Sequence, residues 1–240
     1  MSKTQRVRVF VVGMALAAAI ATAYAGLLSH TPQPVFALAV LGLAAATSQM
    51  KVKLPGINGN MSMNLPFLML AIAKLSSAEA IAIACLSTVA QCWPRRNAKW
   101  NPEQMTFNVG MMAFAASIAS LVFHQRWLVG AGWAAVPVGT VLSSAIFFLG
   151  QTAPVAMVVA LSEDKPAAST WWLLAQLSFP YYVLSAGISA MTQTVAGHTN
   201  WAMGLAIFPV MYGIYRSYRL YFTAMSHTQP SRVMAKAAGA

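Results

Sequence analysis

The chain has 240 residues, of which 58% are hydrophobic and 8% charged. A soluble domain carries about a quarter charged residues, so 15 basic and 4 acidic side chains are too few to cover a water-facing surface of this length. The net charge of +11 would suggest nucleic acid in a soluble protein. Basic residues gather in the cytoplasmic loops of membrane proteins, however, so the lipid bilayer is the expected partner and nucleic acid is not.

Apolar segments fall at 9–28, 34–50, 61–75, 77–93, 102–124, 132–161, 168–195 and 200–222. They predict an all-α, polytopic transmembrane helix bundle of about eight segments, a single domain over 1–225 with a flexible cytoplasmic tail at 226–240. The first segment follows Lys3, Arg6 and Arg8. Its basic start, apolar run and Ala23-Tyr24-Ala25 also match a cleavable signal peptide, although the apolar stretch is longer than a usual signal core. Charge counting leaves both readings open. Ala15, Ala19 and Ala23 form a small-residue stripe suited to close helix contact, inside the bundle or with another protein.

The stretch Lys51-Val-Lys-Leu-Pro-Gly-Ile-Asn-Gly-Asn-Met-Ser-Met-Asn-Leu-Pro66 reads as a polar loop feeding a short helix. Two readings follow. If Asn64 caps a helix beginning at Leu65, that helix rises only about 16 Å, starts within the membrane, and turns its free N–H groups toward a cavity. If the helix begins near Met61, the stretch is an ordinary surface loop. Ser76-Ser-Ala-Glu79 is a capping box that turns the chain just after Lys74. Asn101-Pro-Glu-Gln104 supplies an N-cap, a first-position proline and a capping-box glutamine. The sixth segment exceeds a straight span, so a bend or break is expected between Gly150 and Pro154, with kinks at Pro180 and Pro209.

Orientation follows from the basic residues. With the N-terminus inside, 13 of the 15 lysines and arginines fall on the inner side, only Arg126 lies outside, and Lys74 sits near the outer end of a segment. This predicts both ends in the cytoplasm of a bacterial inner membrane. All seven tryptophans stand at or just beyond segment ends, as amphipathic rings do at the headgroup level. Tyr212, Tyr215, Tyr218 and Tyr221, beside Arg216 and Arg219, suggest an inner-leaflet anchor.

Catalytic equipment is sparse. Glu79, Glu103, Glu163 and Asp164 all lie near segment ends, where capping and solvation account for them. No metalloprotease, redox-cysteine, nucleophile-elbow or phosphate-loop motif occurs, so no enzyme and no cofactor is expected. His30, His124 and His198 fall in outer loops without acidic or cysteine neighbours and read as unrelated rather than as a metal site. Cys85 and Cys92, seven residues apart on one helix, are about 10 Å apart along its axis, too far for a disulfide. The candidate ligand-binding residues are Asn58, Asn60, Ser62, Asn64, Asn108, Gln176 and Tyr181. Asn64, Asn108 and Gln176 are expected to share one polar cavity opening toward the inner half of the bilayer, since uncharged polar groups in apolar spans need partners or water.

Lys51-Val-Lys-Leu-Pro-Gly, Ser62-Met-Asn-Leu-Pro-Phe, Phe107-Asn108-Val, Phe179-Pro-Tyr-Tyr and Tyr215-Arg-Ser-Tyr-Arg-Leu-Tyr together resemble a bacterial multi-helix sensory domain. That domain is usually found N-terminal to HD-GYP or GGDEF modules of cyclic-di-GMP signalling. The likeness runs from about residue 10 to 225 and implies an inner-membrane input module whose last helix addresses a cytoplasmic output domain. Only 19 residues follow Tyr221, which leaves no room for such an output enzyme. The resulting expectation is a non-enzymatic sensory or small-ligand-binding module acting through a separate cytoplasmic signalling protein. The alternative is a transport-complex subunit similar to the substrate-binding subunits of energy-coupling-factor vitamin importers, which dock through such an alanine stripe.

Overall fold

The computed structural model describes residues 2–28, 31–55, 60–93, 101–125, 132–195 and 207–224. Within them lie eight α-helices: α1 (Lys3–Leu27), α2 (Pro34–Ser48), α3 (Leu65–Lys74), α4 (Ser77–Cys92), α5 (Pro102–Phe123), α6 (Ala135–Glu163), α7 (Ala167–Val195) and α8 (207–224). A short antiparallel hairpin, β1 (Lys51–Lys53) and β2 (Asn60–Ser62), precedes α3, with Val52 opposite Met61. Four helices, α1, α5, α6 and α7, are long and apolar enough to cross a membrane; α2, α3 and α4 are apolar but shorter. The expected tail at 226–240 lies outside the described residues.

Local chemistry explains several helix starts. Ser76 Oγ accepts the Glu79 N–H at 3.3 Å, and the Glu79 carboxylate accepts the Ser76 N–H at 3.1 Å, so both halves of that capping box form. Glu79 also accepts the Gln33 N–H at 2.6 Å, tying the start of α2 to the α3–α4 turn. Asn101 Oδ1 accepts the Gln104 N–H at 3.2 Å, and the cap here is that single bond. A second box, Ser2 with Gln5, begins α1 at Lys3, six residues before the hydropathic segment. At its other end α4 leaves orphan carbonyls. Gln49 donates to Ala90 O and Lys51 Nζ to Gln91 O, placing a cation where the helix dipole favours one.

α5 packs against α1, α4 and α6. Its inward faces are largely glycine, alanine and serine, which let helix backbones approach closely. Hydroxyls stitch the contacts: Thr22 Oγ1 lies 3.3 Å from Ser117 Oγ, Ser120 donates to Ser77 at 2.9 Å, and Ser143 donates to Ala119 O at 3.0 Å. Of the small-residue stripe on α1, Ala15 faces inward against Gly110, whereas Ala19 and Ala23 are exposed. The buried stripe is Ala18, Ala21 and Ala25.

Neither internal proline breaks its helix. α6 runs unbroken through Pro154, and α7 runs unbroken through Pro180. Each proline deprives one carbonyl of its donor, and α6 packs against both α5 and α7 along this stretch. Pro209 stands in the first described turn of α8.

Ion pairs gather three connections at one end of the bundle. Arg8 Nε meets Glu103 at 2.8 Å, Lys3 Nζ meets Asp164 at 3.0 Å, and Arg6 lies 3.7 Å from the same carboxylate. Asp164 turns the chain after α6 in the left-handed conformation, φ 54°, which aspartate tolerates better than most residues. The Lys3 ammonium, by hydrogen bond and by charge, holds the Asp164 carboxyl below its usual 3.8. A carboxyl lowered in the folded state contributes stability above its unfolded pKa and loses it as the pH falls through the folded value. The melting-temperature gap between wild type and Asp164→Asn is therefore expected to be small and constant from neutral pH down to about 4, and to close below that. A gap that persists well below pH 3 would show that the charge of Asp164 is not the source of its contribution.

Candidate functional site

The site begins with α3. Its ten residues span about 15 Å, and Leu65 through Ile72 are all buried, with α2, α4, α5, α6 and α7 around them. Leu65 N–H donates to the Tyr181 hydroxyl at 3.1 Å. Tyr181 is the fifteenth of the 29 residues of α7, so α3 starts at mid-height of one of the longest helices. The space between that level and the ion-paired end is shared by the hairpin and a cavity. Turn residues Pro55 and Gly56 with Asn58 and Gly59 follow the Lys-Val-Lys strand in sequence. Three-residue strands are too short to show a period, so what read as a loop is in part a hairpin. A lone hairpin is marginal in water. Val52 and Leu54 anchor this one in the core.

The cavity measures about 270 Å³ and lies among β2, the start of α3, the end of α4, the first half of α5, the last half of α6 and the first half of α7. Five of the sequence candidates, Asn60, Ser62, Asn64, Asn108 and Tyr181, line it. Asn58 lies outside the described residues. Gln176 is corrected: it is exposed on the outer face of α7. At 100° per residue, Leu174, Ser178 and Tyr181 face inward and residue 176 points roughly the opposite way. Gln91, Gln104, Gln151 and Tyr182 line the cavity instead. A count of polar residues within apolar helices could have raised Gln151; only packing selects it over Gln176.

A polar network supports the wall. Ser62 Oγ lies 3.1 Å from Asn64 Oδ1 and 3.0 Å from Gln91 Oε1, and Asn64 Nδ2 donates to Ser87 at 3.4 Å. Asn108 Nδ2 donates to Cys92 Sγ at 3.3 Å, the thiol being free. Tyr182 donates to Gln151 Oε1 at 2.5 Å, and Trp171 donates to Thr152 at 3.1 Å. Phe107, Met111 and Met112, on the same helix as Asn108, add apolar surface.

The expected free N–H groups of α3 are not free. Leu65 N–H is held by Tyr181, Pro66 has none, and Phe67 and Leu68 both donate to Asn64 O, at 3.1 and 3.2 Å. Asn64 caps through its carbonyl while its side chain joins the polar network. An anion at this helix start would find no unengaged donor in the first turn, so the expectation that the helix terminus itself binds a ligand is withdrawn.

His124 lies at the end of α5, its Nδ1 2.9 Å from Ser120 O, while His30 and His198 lie outside the described residues. Among the described residues no group of three or more His, Cys, Asp or Glu side chains could hold a metal. Comparison with protein-family models, with curated proteins and with solved structures finds no match to this chain.

Proposed function

We propose that the chain is a non-enzymatic, multi-pass module of a bacterial cytoplasmic membrane that binds a small molecule in this cavity and acts through a separate partner. The observation that carries the reading is a cavity of about 270 Å³ lined by neutral amides and hydroxyls within one half of an apolar bundle. Polar groups at that depth are costly unless they bond to one another, to water or to a ligand. Among the described residues the lining offers no carboxylate, imidazole or amine for acid–base chemistry, which favours binding over catalysis. A ring of exposed apolar side chains, including Val12, Leu16, Leu38, Leu149, Phe179 and Val183, supports embedding of the whole bundle. In the test, the gently solubilised protein is analysed by native mass spectrometry. A small molecule should be retained by wild type and lost from Asn108→Leu, and its absence from freshly prepared wild type would sink the proposal.

The N-in, C-in frame with all eight segments embedded is part of the same proposal. Its support is that Lys3, Arg6, Arg8 and Lys165 gather at one end, while Lys74 is exposed at the other end of α3. In a Cys85→Ala, Cys92→Ser background, Ser29→Cys, Arg126→Cys and Gly197→Cys should react with an impermeant thiol reagent in intact cells. Asn97→Cys and Ser231→Cys should react only after lysis, and labelling of Asn97→Cys in intact cells would invert the frame. The runner-up is a transport subunit, favoured by the outward exposure of Ala19 and Ala23 on α1. Copurification with an ATPase complex would select it, and copurification with a cytoplasmic signalling enzyme would select the sensor.

A further inference from the structure

We infer that the cavity takes an uncharged, planar ring bearing amide or imide edges. This rests on the ligand-binding reading above and goes beyond it by fixing the chemistry of the ligand.

Charge is the first restriction. Among the described residues that line the cavity none is ionisable in the physiological range. The nearby ions face elsewhere: Glu103 pairs with Arg8, and Lys51 Nζ is turned onto the Gln91 carbonyl. The start of α3, the other plausible source of positive potential, has its first-turn donors engaged by Tyr181 and by Asn64 O. An ionic head placed here would lose its hydration without gaining a counter-charge, which is strongly unfavourable.

The unengaged polar groups give the second restriction. Among the described residues, Asn108 uses Nδ2 on Cys92 and leaves Oδ1 unbonded, Gln91 uses Oε1 on Ser62 and leaves Nε2, and the Gln104 side-chain amide bonds to nothing else. The cavity thus presents both acceptors and donors. Exchanging O and N in either side chain would swap the roles and still leave both kinds. An amide or imide edge, which places N–H beside C=O, satisfies this pattern.

Shape is the third. Phe107, Met111, Met112 and Val155 give an apolar wall of the kind on which a flat ring packs well. A polyol would press hydroxyls against that wall without partners. A volume of about 270 Å³ leaves room for a ring system of this kind.

The full-length detergent-purified protein can be tested by equilibrium dialysis and thermal shift with uracil and hypoxanthine as neutral amide-edged rings. Orotate, which is the uracil ring carrying a carboxylate, and ribose serve as the charged and the polyol comparisons. Saturable binding of uracil or hypoxanthine is expected, at least tenfold tighter than orotate or ribose. Asn108→Leu should weaken it tenfold or more, whereas Gln176→Leu on the outer face should leave it unchanged. Equal or tighter binding of orotate or ribose would overturn the inferred class, and if Asn108→Leu abolished that binding, the cavity itself would stand. Failure of both neutral rings to bind wild type at millimolar concentration would also overturn the class. The comparison of probes on wild type requires no variant to fold. Retention of a different molecule in native mass spectra would then separate a wrong ligand class from a wrong site.

Discussion

Replacing Tyr181 with alanine is expected to destabilise the bundle by about 3–5 kcal/mol, the usual cost of deleting a fully buried aromatic ring. The side chain is 2% exposed and central: its ring meets Tyr182 at 6.2 Å and Tyr218 of α8 at 6.3 Å, both edge-on. Its hydroxyl holds the first N–H of α3 at 3.1 Å. Tyr181→Phe keeps the ring and removes only that acceptor, leaving an amide N–H unsatisfied at mid-height, which costs about 1–3 kcal/mol. The two variants separate packing from capping. Unfolding monitored in detergent over increasing denaturant would give both values. If Tyr181→Phe unfolded with wild type, the start of α3 would be finding another partner, and its fixed height in the bundle would need another cause.

The second large effect is expected at Gly150. A Cβ built there would lie 3.0 Å from the Ala115 Cβ and 3.2 Å from the Ala115 Cα, so α5 and α6 cross where neither can yield without moving backbone. Gly150→Leu should therefore destabilise by at least about 1–3 kcal/mol through overpacking. It should also disturb the cavity wall, since Gln151 and Thr152 follow directly on the same helix. Gly150→Ala is a closer contest, because helix propensity returns about 1 kcal/mol against the clash. The control is Gly187, around which nothing lies within 4 Å; Gly187→Ala should be neutral or stabilising by up to about 1 kcal/mol. Combining Gly150→Ala with Ala115→Gly should recover wild-type stability. If Gly150→Leu melted like wild type, the close helix crossing would not exist in the membrane-embedded protein.

Positions along the chain were largely legible from residues alone because their causes are local. Apolar runs marked every helix to within several residues at most termini, and the Ser76 and Asn101 caps act within three residues of themselves. The start of α3 at Leu65 was one of two open readings, and Pro66 with Asn64 favoured it. The beginning of α1 was misjudged because hydropathy cannot see Lys3 to Arg8 as helix. A polar cap and ion pairs to Asp164 and Glu103 order that turn. The hairpin was missed because three-residue strands have no period to detect.

What the amino-acid sequence determined by itself is the membrane character of the chain, its helical segments, the capped turns, and a polar stretch before a half-length helix. Each depends on composition or on neighbours a few positions apart. Tertiary structure alone decided which faces look inward. On helices apolar all round, such as α7, little in the sequence distinguishes the side carrying Ser178 and Tyr181 from the side carrying Gln176. It also decided that a hydroxyl 116 positions away would close the start of α3, that Pro154 and Pro180 would not interrupt their helices, and that Gln91, Gln104 and Gln151 would meet Asn64 and Asn108 around one cavity. The physical reason is common to all of these. In an apolar bundle the hydrophobic pattern supplies no inside, and helix faces are chosen by close packing of small residues and by the pairing of scarce polar groups.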